Sequence, residues 1–274
     1  MIVKSLIVPI LLVLNILFLN FVSADTRTLK LLSTTSTRDS GLLEFLLPHF
    51  KKKYNIKVHV IAFGTGHVLE LAKNCDGDLL LTHATSLENN FINNGYGSMR
   101  DNLMYNDFII LGPPQDPAKI NSLKSSSLAL KNIASTKSTF ISRGDNSGTH
   151  ISELIIWKAA EIDPTHYSGK WYLETGQGMG SSLNVAIAHN AYVYADRATW
   201  IRFANKGQHM VMIEKDPLMF NQYGLVKINP SHCPDIKHQD ANLLYNWLIS
   251  SPAQKLISEY RINNIPLFYP NFNK

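Results

Sequence analysis

Apolar positions along this chain change period several times, and each change marks an element. Leu42, Leu43, Phe45, Leu46, Leu47 and Phe50 recur at helical spacing, so residues 41–54 are expected to form about three turns of helix. Residues 56–63 (IKVHVIAF) alternate and predict a strand, and 28–32 (TLKLL) a shorter one. A short helix is expected at 67–73. Buried strands are expected at 78–81 (DLLL) and 107–111 (DFIIL). After Gly112-Pro113-Pro114-Gln115-Asp116-Pro117 breaks the pattern, it resumes. Strands are expected at 139–142, 210–214 and 223–228. Helices are expected at 147–161, 178–189, 196–205, 241–250 and 252–260. Strands alternating with helices predict an α/β chain with largely parallel sheet.

The breaker at 112–117 and the return strand at 223–228 suggest that the chain crosses between two lobes twice. Residues 25–113 with 215–274 would form lobe 1, and 114–214 lobe 2, with a cleft between them. Four polar loops fall where strands give way to helices: STTSTRDSG from Ser33, FGTG from Phe63, SRGDNSGTH from Ser142 and LETGQGMG from Leu173. In open α/β sheets ligands collect at the carboxyl ends of strands. A helix start offers unpaired N–H groups and a partial positive charge, and glycines and hydroxyls let an anion approach them. Arg143 adds a planar guanidinium fork suited to oxyanions. The candidate ligand-binding residues are therefore Thr34, Thr35, Ser36, Thr65, Arg143, Ser147, Gly148 and Thr149.

Other motifs are weaker. Asp39-Ser40-Gly41 matches an aspartic-protease triplet, but a second triplet for the carboxylate dyad is missing, and Asp39 reads instead as a first-turn acid. Gly176-x-Gly178-x-Gly180 lacks the remaining features of a dinucleotide fingerprint. His150 reads as a helix-surface residue. Ser147 with His150 is the one nearby pair that a hydrolase could use as nucleophile and base. Neither a metal site nor a cofactor is expected.

Lys4, an apolar stretch from Leu6 to Val22, and Val22-Ser23-Ala24 before Asp25 describe an export signal over residues 1–24, cleaved near Ala24. Pro9, Asn15 and Asn20 interrupt that stretch and argue against a retained anchor. The expected working chain is periplasmic, about 250 residues long and monomeric. Loss of Lys4, the one charged residue of the signal, lowers the net charge from +5 to +4. Lys51-Lys52-Lys53 is read as a solvated helix end, and no nucleic-acid surface is expected. In an oxidising compartment Cys75 and Cys233 could pair.

At these same loops the chain resembles the tungstate-binding periplasmic proteins of the TupA type, the capture components of ABC importers. The stretches STTSTRDSGLLEFLLPHF, VIAFGTGHVLEL, MYNDFIILGP, FISRGDNSGTHISEL and YLETGQGMGSSLN, with AYVYADRATW, carry the resemblance from about Leu31 to Ile249. It implies a two-lobed type II periplasmic binding-protein fold without catalysis. Ser33-Thr34-Thr35-Ser36, Gly64-Thr65-Gly66, Arg143 and Thr149 would hold tungstate or molybdate, and an ABC permease would be the partner. Phosphate or sulfate is the alternative ligand, with Asp39 or Asp145 as acceptor for a phosphate proton. Two departures from the family pattern are Ser33 in place of Thr and Thr82-His83-Ala84-Thr85 in place of Val-His-Ala-Pro.

Overall fold

The structure is a computed structural model and describes residues 26–272; the expected export signal lies outside them. The first half-sheet grows from β1 (Arg27–Thr34), a short helix α1 (Thr35–Asp39), α2 (Leu42–Tyr54), β2 (Ile56–Phe63), α3 (Thr65–Lys73), β3 (Leu79–Thr82) and α4 (Thr85–Asn93). The long strand β4 (Gly97–Gly112) leads out of it. Then come α5 (Ser126–Thr136), β5 (Phe140–Ser142), α6 (Gly148–Ala159), β6 (Tyr172–Glu174), α7 (Met179–Ala188), β7 (Tyr192–Asp196), α8 (Arg197–Arg202) and β8 (Met210–Ile213). Strand β9 (Phe220–Ile228) returns, followed by α9 (His238–Leu248), α10 (Ser251–Glu259) and three two-residue strands, β10 (Arg261–Ile262), β11 (Ile265–Pro266) and β12 (Tyr269–Pro270).

The main sheet runs β2-β1-β3-β9-β4-β7-β5-β6, with β8 and β12 also paired to β4. Strands β1, β2 and β3 are mutually parallel on one side, and β5, β6 and β7 on the other. Both faces of each half are covered by helices, so neighbouring residues on one strand enter opposite layers. Leu79 and Leu81 of β3 pack with Phe50, Leu244 and Trp247, whereas Leu80 packs with Val68 and Phe91. Phe108 and Ile110 of β4 meet Trp157 and Tyr172, whereas Ile109 and Leu111 meet Leu183 and Ala186. Burial on both faces explains why these strands read as unbroken apolar runs.

The apolar run at 107–111 is only the end of β4. Gly97 to Asp107 pairs with β9, and Phe108 to Leu111 pairs with β7, so the strand passes from one half-sheet to the other between Asp107 and Phe108. Its first ten residues are mostly polar or partly exposed, which hid them from an apolar-run reading. Strands β6 and β7 and helices α4 and α5 also escaped the pattern; β7 is Tyr-Val-Tyr-Ala-Asp, buried throughout with no alternation. Helix α3 starts at Thr65, two residues before the expected start at His67. Asp39 closes α1 instead of opening a helix; α2 follows Gly41, held at φ +78°, with Glu44 as its first-turn acid. The three lysines at 51–53 sit exposed in the last turn of α2, as expected from the dipole.

Where β4 and β9 cross between the halves, Asn106 faces Asn221. Both amides donate to Oδ2 of the buried Asp196, at 2.8 and 3.0 Å, and Tyr223 donates its hydroxyl to the same oxygen at 3.0 Å. Oδ1 accepts from the Thr199 backbone at 2.9 Å, capping α8, and from the Thr199 hydroxyl at 3.3 Å. The carboxylate is thus fully satisfied, as a buried charge must be.

Two further features lock the halves internally. Cys75 and Cys233 form a disulfide that ties the turn after α3 to the segment after β9. In the second half, buried Glu153 accepts from Ser142 Oγ at 2.9 Å, Trp157 Nε1 at 3.1 Å and Tyr172 Oη at 2.8 Å, pinning α6 to β5 and β6. Burial pushes Glu153 up to about 8, against the pull of those three donors.

The disulfide closes a span of 158 residues, so a Cys75→Ser/Cys233→Ser double variant should lose about 2–4 kcal/mol. That corresponds to roughly 5–15 °C in melting temperature by scanning calorimetry; an unchanged midpoint would contradict it. For Glu153, the folded state keeps a proton that the unfolded chain has released between its ordinary value near 4.5 and about 8. Its contribution to stability therefore falls as pH rises through that window, by a few kcal/mol at about 1.36 kcal/mol per unit. Glu153→Gln, which cannot ionise, should flatten the decline in melting temperature from pH 5 to pH 8; a decline as steep as the parent's would refute this.

Candidate functional site

The carboxyl ends of the parallel strands in both halves point to one region, and each sequence-singled loop leaves a strand there. Strand β1 ends at Thr34, whose hydroxyl caps α1 by accepting from Thr37 N at 3.3 Å. β2 ends at Phe63, and Gly64 precedes α3, whose first residue is Thr65. β5 ends at Ser142, and Arg143-Gly144-Asp145-Asn146 leads to Ser147, which caps α6 by accepting from His150 N at 3.3 Å.

The loops from the two halves touch. A Cβ on Gly64 would lie 3.5 Å from the Asp145 carbonyl oxygen, and one on Gly66 would lie 3.9 Å from that of Asn146. A Cβ on Gly148 would come within 2.9 Å of the His83 carbonyl oxygen, so only glycine lets α6 approach the end of β3 this closely. Thr34, Ser36, Thr65, Arg143, Ser147, Gly148 and Thr149 are all buried here, and Thr35 is half-buried.

Among the described residues, three buried side-chain oxygens lack any hydrogen-bond partner: the hydroxyls of Thr35, Thr65 and Thr149. Buried polar groups are nearly always paired, and leaving one unmade costs about 1–3 kcal/mol. All three orphans belong to the candidate set. Each stands in the first turn of a helix, α1, α3 or α6. These hydroxyls can donate, and the first turns of α3 and α6 add free N–H groups and a positive dipole end.

Arg143 is only 2 % exposed and is not a free charge. Its Nη2 pairs with Asp145 Oδ2, and its Nε donates to the Gln177 carbonyl oxygen at 3.3 Å. Burial pulls its affinity for the proton below the ordinary arginine value, opposed by Asp145. Asp145 also accepts from Ser147 N through Oδ1 at 3.2 Å. Arg38 and Asp39 pair with each other at the surface, at 2.7 Å.

The fourth loop has a supporting role. Gly176 N and Thr175 N donate to the carbonyl oxygens of Arg143 and Ser142 at 2.8 and 3.0 Å, and Gln177 holds the guanidinium. Among the described residues, nothing lies within 4 Å of a Cβ on Gly176, Gly178 or Gly180, so they leave that wall open. His150 is buried, not on the helix surface; its Nδ1 accepts from Asn146 N at 3.1 Å. Because Ser147 Oγ meets the His150 backbone and not its ring, these two residues form a cap instead of a nucleophile–base pair.

His83, noted in the sequence only within the Thr82–Thr85 departure, has a role there that no motif assigned. Its Nε2 lies 2.9 Å from Ser36 Oγ, its Nδ1 lies 3.0 Å from Asn221 Oδ1, and its ring stacks on Tyr223 with centroids 4.9 Å apart. It connects the crossing of β4 and β9 to the α1 loop. The only local signal was a histidine directly after the buried strand DLLLT.

Comparison with known proteins identifies the family. The profile of the PBP superfamily domain matches residues 22–252. The tungstate-binding protein TupA of Peptoclostridium acidaminophilum is 42% identical over 248 residues, spanning 89% of this chain and 86% of its own length. The solved tungstate-binding protein TupA of Desulfovibrio alaskensis G20 superimposes with a TM-score of 0.77 at 40% identity, over 90% of this chain and 100% of that one. The tungstate ABC transporter structure from Geobacter sulfurreducens gives 0.78 at 44% identity, over 85% of this chain and 98% of that one. With its two half-sheets, crossing strands and cleft loops, the chain has the type II periplasmic binding-protein fold and belongs to the TupA-type family of ABC-transporter oxyanion-binding proteins.

Proposed function

We propose that this chain captures tungstate, with molybdate as its near-isosteric competitor, between the loops of its two lobes and presents it to an ABC permease from the periplasmic side. The observation that carries this reading is the set of orphaned hydroxyls of Thr35, Thr65 and Thr149, two of them on α1 and α3 and the third on α6, where the loop before α3 meets the Arg143 loop. A tetrahedral dianion offers acceptor oxygens in every direction and would satisfy all three. Thr34, Ser36, Ser147 and Gly148 would complete the cage, Thr34 and Ser147 chiefly as caps that hold the helix starts in place. The export signal over residues 1–24 and function as a monomer belong to the same proposal.

The charge balance favours an anion that carries no proton. Asp39 and Asp145, the acids that would accept the proton of a phosphate, are each engaged by an arginine. Closure of the lobes about Asn106 and Asn221 would bring the α6 start against Gly64 and His83, the arrangement that the glycine contacts describe.

Isothermal titration with tungstate, molybdate, sulfate and phosphate tests the proposal. Tungstate at 100 times its Kd should stabilise the fold by about 2.7 kcal/mol, roughly 5–10 °C in melting temperature; a response to phosphate alone would overturn the reading. Arg143→Ala should weaken tungstate binding by about ten- to a hundred-fold or more, at about 1.5–3 kcal/mol for a charge-assisted bond. It also leaves Asp145 without its partner. Arg143→Lys should recover only part, because lysine lacks the planar fork. Equal affinity in Arg143→Ala, with circular dichroism unchanged, would remove Arg143 from the site.

A further inference from the structure

The side chain of Asn221 has a fixed orientation. Its Nδ2 donates to Asp196 Oδ2 at 3.0 Å and to Asn106 Oδ1 at 2.7 Å, and turning the amide over would set its oxygen against a carboxylate. Asn221 Oδ1 therefore faces His83 Nδ1 at 3.0 Å, and Nδ1 must carry a proton to donate. A neutral His83 then has only a lone pair on Nε2, and Ser36 Oγ, 2.9 Å away, must spend its one proton there. In that state Ser36 turns lone pairs towards anything else it meets.

We infer that His83 is a positioning residue that couples anion capture to the uptake of one proton. Protonation of Nε2 reverses the bond: Nε2–H donates to Ser36 Oγ, and the Ser36 hydroxyl is released to donate to the bound oxyanion. The proton comes from solvent, no bond between heavy atoms changes, and the dianion is held as a dianion. This rests on the tungstate reading of the cleft.

The surroundings of the ring oppose charge until an anion arrives. Burial holds His83 below the ordinary histidine value. Asp196 at the end of β7 and Glu88 on α4 favour its protonation, and Arg143 after β5 opposes it. Five hydrogen bonds already spread the charge of Asp196, and Arg100 pairs with Glu88 at 2.7 Å. Tyr223 and Phe108 cover the ring from β9 and β4, and the first residue of α6, Gly148, abuts it. The positive end of α6 adds to the opposition. A dianion at that helix end reverses the sign of the local field, so the proton is taken up as the anion binds.

The test is isothermal titration of tungstate in two buffers of different ionisation enthalpy, from pH 7 to 8.5. Wild type should take up close to one proton per anion near pH 7, and its Kd should rise towards about tenfold per pH unit, the limit for one linked proton. His83→Gln, whose amide can meet Ser36 without titrating, should bind tungstate more weakly, with a flat pH profile and uptake near zero. Ser36→Ala keeps the imidazole and removes the hydroxyl, and should weaken binding and lower the uptake. Wild type that binds tungstate without proton uptake overturns the coupling and leaves the tungstate reading intact. So does a folded His83→Gln that keeps the uptake, or a Ser36→Ala with full affinity and full uptake. No tungstate binding at any pH overturns the reading of the cleft, and this inference with it.

Discussion

The carboxylate of Asp196 is the constraint on which the rest of the molecule depends. It is wholly buried where β4 and β9 pass between the half-sheets, and five donors from both strands and from α8 converge on it. A buried charge survives only when its hydrogen bonds are complete, and losing one partner costs far more than an average hydrogen bond. The crossing is therefore held in one arrangement of side chains. That arrangement fixes the Asn221 amide, which fixes the His83 ring, which holds Ser36 in α1. The hydrogen-bond network of the crossing and the start of α1 are thus one continuous object.

The cleft is supplied with donors more than with charge. Its arginine is paired to Asp145, so little net positive charge is available. In the proposed site, an incoming anion would meet a set of neutral hydroxyls and helix starts. Such groups are preorganised by the strands beneath them, and they pair with anion oxygens without a full charge that would have to be separated on release. This suits a protein that must hold an oxyanion firmly and still deliver it. The close approach of the loops from the two half-sheets is made possible by missing side chains, at Gly64 and above all Gly148.

Support for these loops comes from the layers below. Glu153 binds α6 to β5 and β6 at Ser142, the residue before Arg143, and the glycine-rich loop before α7 takes hold of the Arg143 backbone and guanidinium. The first lobe has a different device, the Cys75–Cys233 disulfide, at the far end of α3 from Thr65.

The sequence by itself determined the α/β alternation, the helices with a clear apolar face, such as Leu42–Tyr54, and the loops whose hydroxyls and glycines no helix or strand would favour. Those are local properties: period, propensity and capping chemistry act over a few residues. It named Thr35, Thr65 and Thr149, and the resemblance to a known family rested on the same loops. The sequence left open whether the two cysteines pair, which a separation of 158 residues makes a question of the fold. It missed β7 because a strand buried on both faces shows no alternation, and most of β4 because its polar half is partnered by β9 instead of by apolar packing. It read His150 as exposed and gave His83 no role, because the burial of both, and the partners of His83, depend on residues far along the chain. Only the tertiary structure decided that Asn106, Asn221 and Asp196, more than a hundred residues apart at the extremes, share one hydrogen-bond network. The reason is physical: a donor on one strand has no local trace of the acceptor that will complete it.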